Sequence, residues 1–357
     1  MFNLRKIYEG KKVLVTGHTG FKGSWLVIWL TLLGAKVVGV SKSNITNPSH
    51  FLLTGIKSKI KNYYFDINNF KKISEVFKKE KPEFLFHLAA QSLVIRSYEN
   101  PLDTFKTNSM GVANIMECIK NSKSIKSVII VTSDKCYKNF EKKIGYREDE
   151  ILAGEDPYSS SKSCAELIFS SYSKLIKIKS NIQIVSLRAG NVIGGGDWAE
   201  NRIIPDLIRS IEQNKTFYLR NPNSTRPWQH VLEPVKAYLL IAAKLRVAKK
   251  NYTGESFNVG PGSKNSYTVL QLIKKIKYFD NVKINFKKNK KLKESKLLSL
   301  NVNKIKQVFN IKPILNIDQT SDYISEWYNV YFKNKNKILL TTIKQIKTYS
   351  KLSNLKI

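Results

Sequence analysis

The residues best suited to chemistry lie in two short stretches, Val131-Thr-Ser-Asp-Lys-Cys-Tyr137 and Tyr158-Ser-Ser-Ser-Lys162. Tyr158 and Lys162 are four apart, so on a helix they share one face. An ammonium beside a phenol favours the phenolate and lowers its pKa, which turns a tyrosine into a base near neutral pH. Ser133 can hydrogen-bond the same substrate hydroxyl. Asp134 can give a proton, and Lys135 is a group that could take one. Proton transfer at a substrate hydroxyl is the expected chemistry.

A Tyr and a Lys four apart describe a solvated helix face as readily as a site, so the setting decides. The run Ser127-Val-Ile-Ile-Val131 is apolar and β-branched and reads as a buried parallel strand. Ser133 to Lys135 therefore follow a strand's carboxyl end, where open α/β sheets bind their ligands. Asp156-Pro157 opens the helix that carries Tyr158 and Lys162.

The chain begins with another strand, Lys11-Lys-Val-Leu-Val-Thr16, followed by Gly17-His-Thr-Gly-Phe-Lys-Gly23 and an apolar helix over residues 24–33. Strand, glycine loop and helix make a dinucleotide-binding βα unit. Gly17 allows a tight turn, Gly20 lets backbone approach a pyrophosphate, and Gly23 permits close helix packing. His18, Phe21 and Lys22 lie in the same loop, and His18 and Lys22 could reach a phosphate. Lys36-Val-Val-Gly-Val40 is the second strand. An acid expected about twenty residues past the loop, to hold the adenosine ribose, is replaced by Ser41-Lys-Ser43, which leaves NAD and NADP undivided on this feature. Asp66 and Ile67 end a third strand beside the adenine. Phe84-Leu-Phe-His-Leu-Ala-Ala90 is a fourth, with Leu88, Ala89 and Ala90 leaving room for the cofactor; His87 within it reads as a core histidine. Strands alternating with helices give an α/β fold with a doubly wound parallel Rossmann sheet and a smaller α/β substrate-binding domain.

After a strand near residues 181–187 the alternation breaks down at Arg188-Ala-Gly-Asn-Val-Ile-Gly-Gly-Gly-Asp197. The expected division is 1–187 as dinucleotide-binding domain, rejoined by 229–260, with 188–228 and 261–332 as substrate domain. Residues 333–357 form a basic tail, plausible as a final helix. The lysine run at 287–293 reads as a solvated loop, and no internal repeat is present.

The formal net charge of +34 raises the question of nucleic acid. Lysines are spread over the whole chain with abundant Asn and Ile, a compositional drift, and no nucleic-acid module stands out, so no specific nucleic-acid partner is expected. Only nine of the 61 basic residues are Arg, and Arg188, Arg202, Arg209, Arg220 and Arg226 fall between 188 and 226. Guanidinium forks bind phosphate bidentately, as Lys cannot, so this stretch is expected to hold a substrate's phosphates. No apolar run approaches the ~20 residues of a membrane span, and no signal peptide is evident at the start. Cys118, Cys136 and Cys164 show neither disulfide nor zinc spacing, so no metal is expected and a cytoplasmic location fits.

The glycine loop, the Ser133/Tyr158/Lys162 set and the variable second region together resemble the extended short-chain dehydrogenase/reductase (NAD-dependent epimerase/dehydratase) family. Within it, V-T-G-H-T-G-F-K-G-S-W-L, H-L-A-A-Q-S-L-V, T-S-D-K-C-Y, D-P-Y-S-S-S-K, R-A-G-N-V-I-G-G-G-D-W and R-P-W-Q-H-V-L-E-P are similar to sugar-nucleotide 4,6-dehydratases acting on CDP-glucose. The resemblance implies a retained NAD and a lyase that oxidises C4, eliminates water across C5 and C6, and returns the hydride to C6. It implies that Tyr158 and Lys162 handle the C4 hydroxyl and nicotinamide ribose, with Ser133 orienting that hydroxyl and a protonated Asp134 serving the C6 leaving group. Lys135 stands where related enzymes carry a glutamate base. A lysine with its ordinary pKa of about 10.4 must be pushed down to act so; the alternative is that it orients the sugar. Asn108, Arg188, Asn191, Arg202, Arg226 and His230 are expected to hold the nucleotide sugar. The resemblance further implies a homodimer, or a homotetramer, built on the helices beginning near Thr104 and Tyr158. An epimerase, or a dehydratase of another nucleotide sugar such as a GDP-linked one, shares the fold; Asp134-Lys135 separates the epimerase, which has no leaving group to protonate.

Overall fold

The computed structural model describes residues 2–43, 46–142, 144–219, 221–262, 266–276, 282–286 and 297–357. Seven parallel strands form the central sheet: β1 (Lys12–Thr16), β2 (Lys36–Ser41), β3 (Lys61–Tyr64), β4 (Phe84–His87), β5 (Ser127–Val131), β6 (Gln183–Ala189) and β7 (Glu255–Val259), in the order β7-β6-β5-β4-β1-β2-β3. The order reverses between β1 and β4. Ligands in such sheets bind outside the strands' carboxyl ends at that switch point.

The strands are apolar on both faces because both are covered. Leu14, Val38, Leu85, Val128, Ile130 and Ile184 point to one side. There they meet the helices α2 (Phe70–Glu80), α3 (Gly111–Lys120) and α4 (Pro157–Lys179). Val13, Val15, Phe84, Phe86, Ile129 and Val185 point to the other. That face is covered by α1 (Phe21–Leu32), which follows the glycine loop, and by α6 (Leu232–Val247). Both faces of the inner strands are thus mostly apolar, as a doubly covered parallel sheet requires, while the edge strand β3 and Ser186 and Arg188 of β6 depart from the pattern.

Beyond β6 the chain builds a smaller set of elements over the sheet's carboxyl edge. These are α5 (Ile203–Glu212) and three two-stranded ribbons. Val192–Ile193 pairs with Gln229–His230, Thr225–Pro227 with Ser266–Thr268, and Phe217–Leu219 with Ile284–Phe286. Arg220 and the lysine run at 287–293 lie outside the described residues.

Two further helices, α7 (Ile317–Lys333) and α8 (Ile338–Leu352), return to the α1 side of the sheet. Trp29 of α1 meets Tyr349 of α8 edge-on, with ring centres 6.0 Å apart. A buried histidine, His50, lies between them. Its Nδ1 pairs with the Ser24 hydroxyl at 2.7 Å, its Nε2 with the Thr342 hydroxyl at 3.1 Å, and its ring stacks on Trp25 at 5.0 Å. Phe2–Asn3 pairs in parallel with Leu355–Lys356 beside these helices.

Candidate active site

A single cleft of about 790 Å³ runs along the sheet's carboxyl edge and continues under α5 and the ribbons. Its floor at the switch point is the glycine loop. Gly17 has φ +74°, and a Cβ there would fall 2.7 Å from the Ala89 nitrogen; at Gly23 it would fall 2.1 Å from the Gly17 carbonyl. Neither position tolerates a side chain. Gly20 caps α1 with no side-chain acceptor, so the helix's first N–H groups face the cleft with their positive end free for an anion. Phe21, Lys22, Asp66, Ile67, Leu88, Ala89 and Ala90 line the same end. A cradle of backbone N–H groups that no Cβ could enter suits a dinucleotide's pyrophosphate.

The acid missing after β2 is replaced by a different arrangement. Lys42 reaches from the end of β2 to Asp66 Oδ2 at 2.8 Å and to Asp103 Oδ1 at 3.6 Å. The carboxylates at this end of the cleft thus come from beyond β3 and from the short helix Pro101–Phe105.

Ser133, Asp134, Tyr158 and Lys162 converge on the same cleft. Asp156 caps α4 by accepting from the Tyr158 and Ser159 N–H groups, each at 3.0 Å, and Pro157 is the first helical residue. This fixes the first turn, so Tyr158 and Lys162 line the cleft together. Ser133 caps the turn Asp134–Cys136 just after β5, accepting from the Lys135 N–H at 3.2 Å and donating to Asp134 Oδ1 at 3.0 Å. Asp134 Oδ2 is buried with no hydrogen-bond partner and faces Gly190, where a Cβ would come within 3.4 Å of it. Burial pushes the Asp134 carboxyl above its ordinary value, against the pull of Lys135, Ser133 and Arg226. Burial thus favours the protonated form of this carboxyl, the form in which it can donate.

The tyrosine differs from the expectation. Burial pushes the phenol up to about 12, and the neighbours that pull it back are the Ser133 hydroxyl and then Arg202, not Lys162. The same burial weakens the lysine, pushing it down to about 8 against the opposing effect of Glu166. A cation expected to acidify its neighbour is itself desolvated. Lys22 is pushed down to about 7, first by burial and then by Lys162 and Arg202.

Asn191, Arg202 and Arg226 also line the cleft, with half-buried Lys135. Arg202 Nη1 meets Asp197 Oδ2 at 3.1 Å, and its Nη2 donates to the Ser92 hydroxyl across the cleft at 3.1 Å. Four expected site residues stand elsewhere. Arg188 is inside the protein, its Nη2 on Glu166 Oε2 at 2.7 Å and its Nη1 donating to the Tyr137 hydroxyl at 2.8 Å and the Glu148 carbonyl at 2.9 Å. Its place in β6 turns it under the sheet edge instead of over it. His230 is fully buried, accepting from the Leu232 N–H at 3.3 Å, with its ring edge-on to Trp25 and Tyr323. Asn108 exchanges hydrogen bonds with the Gln91 backbone and donates to the Ser161 hydroxyl at 2.9 Å, which ties the post-β4 loop to α4. His18 tucks under Gly39 and pairs with Asn62 at 3.0 Å, so it supports β2 and β3 from below and does not reach a phosphate. His87 is a core residue, bonded to the Thr16 hydroxyl at 2.7 Å.

The cleft contains residues that sequence reasoning passed over. Ser92 belongs to the H-L-A-A-Q-S-L-V motif, so a signal existed. Phe217–Leu219 and Asn221 form the far wall and carry no distinguishing pattern. Among the described residues no group of three or more His, Cys, Asp or Glu could hold a metal ion, and no helix is long and apolar enough to cross a membrane.

Comparison with known proteins bears on the same residues. Residues 14–323 match the family described as GDP-mannose 4,6 dehydratase. The CDP-glucose 4,6-dehydratase of Salmonella typhimurium is 39% identical over 352 residues, 97% of this chain and 98% of that protein. Among solved structures, the dTDP-glucose 4,6-dehydratase of Bacillus anthracis in complex with NAD superposes with a TM-score of 0.76 at 22% identity, covering 91% of this chain and 97% of that one. The UDP-glucose 4-epimerase of Thermotoga maritima with UDP-glucose gives 0.76 at 23% identity, covering 90% and 99%. The last two show a shared doubly wound α/β fold, while the matched span and the near-complete relative go further: the chain belongs to the GDP-mannose 4,6 dehydratase family.

Proposed function

We propose that the protein is a hydro-lyase that converts CDP-glucose to CDP-4-keto-6-deoxyglucose with a retained NAD. NAD, when bound, supplies a hydride acceptor at C4 and a donor at C6, so it ends as it began. Gly17, Gly20, Gly23 and Lys22 would hold its pyrophosphate, with Asp66, Ile67 and Leu88 to Ala90 along the adenosine side. Lys42 is engaged by Asp66 and Asp103, and two carboxylates to one cation suit an unphosphorylated ribose.

Tyr158 receives the C4 hydroxyl proton, Ser133 orients that hydroxyl and favours the phenolate by its hydrogen bond, and Lys162 holds the ribose. Once C4 is a ketone, the C5 proton is α to a carbonyl and can be removed. Hydroxide is a poor leaving group, so Asp134 gives its proton to the C6 oxygen as it departs. Lys135 lies on the same turn, where it takes the C5 proton if neutral or orients the hexose if charged. Asn191, Arg202 and Arg226 grip the nucleotide, guanidinium on phosphate.

The observation that carries this reading is Asp134: a buried carboxyl pushed upward, one oxygen unpartnered, adjacent to Ser133. A simple epimerase has no work for it. Incubation with CDP-, GDP-, UDP- and dTDP-linked hexoses, scored by the alkaline absorbance of a 4-keto sugar, tests the proposal. CDP-glucose should be turned over fastest; a purified protein that holds NAD and dehydrates none of them overturns it.

A homodimer is part of the same proposal. Leu102 is 79% and Leu167 58% exposed, on neighbouring helices of one face. Light scattering should give twice the chain mass; a monomer at micromolar concentration removes that part, and four times the mass makes it a homotetramer. Unpaired Cys118, Cys136 and Cys164 suit a cytoplasmic location.

A further inference from the structure

Glu166 carries a buried charge for which the proposed reaction has no direct use. It stands one turn beyond Lys162 on α4, the third rung after Tyr158 and Lys162. Its side chain is about as enclosed as a side chain can be, 1% exposed. One oxygen, Oε1, accepts from the Thr132 hydroxyl. The other, Oε2, accepts from Arg188 Nη2 at 2.7 Å, the Ser186 hydroxyl at 3.0 Å and the Ser256 hydroxyl at 3.1 Å. Thr132 directly follows β5, Ser186 and Arg188 are in β6, and Ser256 is in β7. One carboxylate therefore ties the helix that bears Tyr158 and Lys162 to three consecutive strands, and both its oxygens are engaged.

We infer that Glu166 is a positioning residue of the proposed site: through Thr132 it fixes the strand end that presents Ser133 and Asp134, and through its charge it holds Lys162 as the ammonium beside Tyr158. The kinetic half of this inference rests on the proposed dehydratase reaction. The groups facing Lys162 are few among the described residues. Tyr158 and Glu166 share its helix, Cys136 is on the turn after β5, His87 is in β4 and Lys22 is on α1. Burial keeps the Cys136 thiol protonated and holds His87 neutral at about 3. Lys22 opposes a second cation. Glu166 is left as the anion that favours the ammonium, with Arg188 offsetting part of its charge.

The test is Glu166→Gln, which keeps the shape and an acceptor oxygen while removing the charge. Arg188 is then uncompensated, and Lys162 should lose its proton at lower pH. The alkaline limb of the kcat profile is expected to move down by about one pH unit, with kcat at pH 7 falling about twofold as the ammonium fraction drops and KM within about twofold. The double variant Glu166→Gln with Arg188→Gln removes the opposing cation and should move the limb back toward the parent. A second readout needs no turnover: the pH dependence of Lys162 modification by a small amine reagent, followed by peptide mass spectrometry, should shift by the same amount. An unmoved limb and an unmoved modification profile in Glu166→Gln overturn the inference. If that variant does not fold, Thr132→Val decides: kcat should fall several-fold with the Lys162 profile unchanged, and an unchanged kcat overturns the positioning role. Should the parent protein dehydrate no nucleotide sugar, the reaction falls, yet the modification profile still decides for or against Glu166.

Discussion

Arg188 and Arg202 are fourteen residues apart in one arginine-rich stretch, and on chemical grounds they are the same device. The fold uses them oppositely. Arg188 is 4% exposed and points its guanidinium at Glu166, Tyr137 and the Glu148 carbonyl, so its donors serve the protein's own interior. Arg202 is 32% exposed at the start of α5, bonded once to Asp197 and once to Ser92 across the cleft. It keeps a face toward whatever enters. A guanidinium's value to a ligand depends on which of its donors the protein has already engaged, not on residue type.

The sharpest way to test this division between interior and cleft charges is at the proton handlers. Tyr158→Phe and Asp134→Asn should each lower turnover by about 10²- to 10⁴-fold while the protein stays folded. In Asp134→Asn the bound dinucleotide should accumulate in its reduced form, because C4 oxidation proceeds and elimination stalls; its absorbance band reports this directly. The same variant has a stability signature. Between the ordinary carboxyl value of 3.8 and the raised folded value, the native state binds more protons than the unfolded one, so native stability falls as pH rises through that window. Asp134→Asn removes the penalty and should melt higher than the parent at neutral pH, with the advantage vanishing at low pH.

Next in size comes Arg188→Met. Leaving the Glu166 carboxylate buried and unpaired costs about 3–5 kcal/mol, seen as a lower denaturant midpoint, with KM for the nucleotide sugar unchanged in the folded fraction. Arg202→Lys should do the reverse: KM rises about tenfold as bidentate contact is lost, equivalent to about 1.4 kcal/mol, and the midpoint hardly moves. If Arg188→Met raises KM and Arg202→Lys unfolds the protein, the comparison is wrong. The smallest effect belongs to Lys42→Met. This ammonium is half exposed and its pairs with Asp66 and Asp103 face solvent, so dinucleotide affinity should change by only a few-fold, less at high salt.

What the sequence made legible follows from where the information is local. The glycine loop, the strand-end Ser133-Asp134-Lys135 and the four-residue spacing of Tyr158 and Lys162 are fixed within short segments, and each stands at the cleft. The sheet, too, followed from apolar runs alternating with helices. Arg188, His230, Asn108 and His18 were misplaced for one shared reason. Each is polar, and whether such a side chain turns inward is settled by partners far away in sequence: Glu166 for Arg188, Trp25 and Tyr323 for His230, Ser161 for Asn108, Asn62 for His18. The far wall at Phe217–Leu219 had no signal because an edge of short ribbon leaves none. The upward shift of Tyr158 was missed because the spacing of two residues says nothing about how completely both are desolvated.

The buried His50, shared between Ser24 on α1 and Thr342 on α8, carries a consequence for how the molecule is made. The far side of the helix that Gly17 to Gly23 lead into is sealed by Ile338–Leu352, more than three hundred residues further along the chain. The glycine-loop element is therefore completed only once that distant helix has been made and has docked.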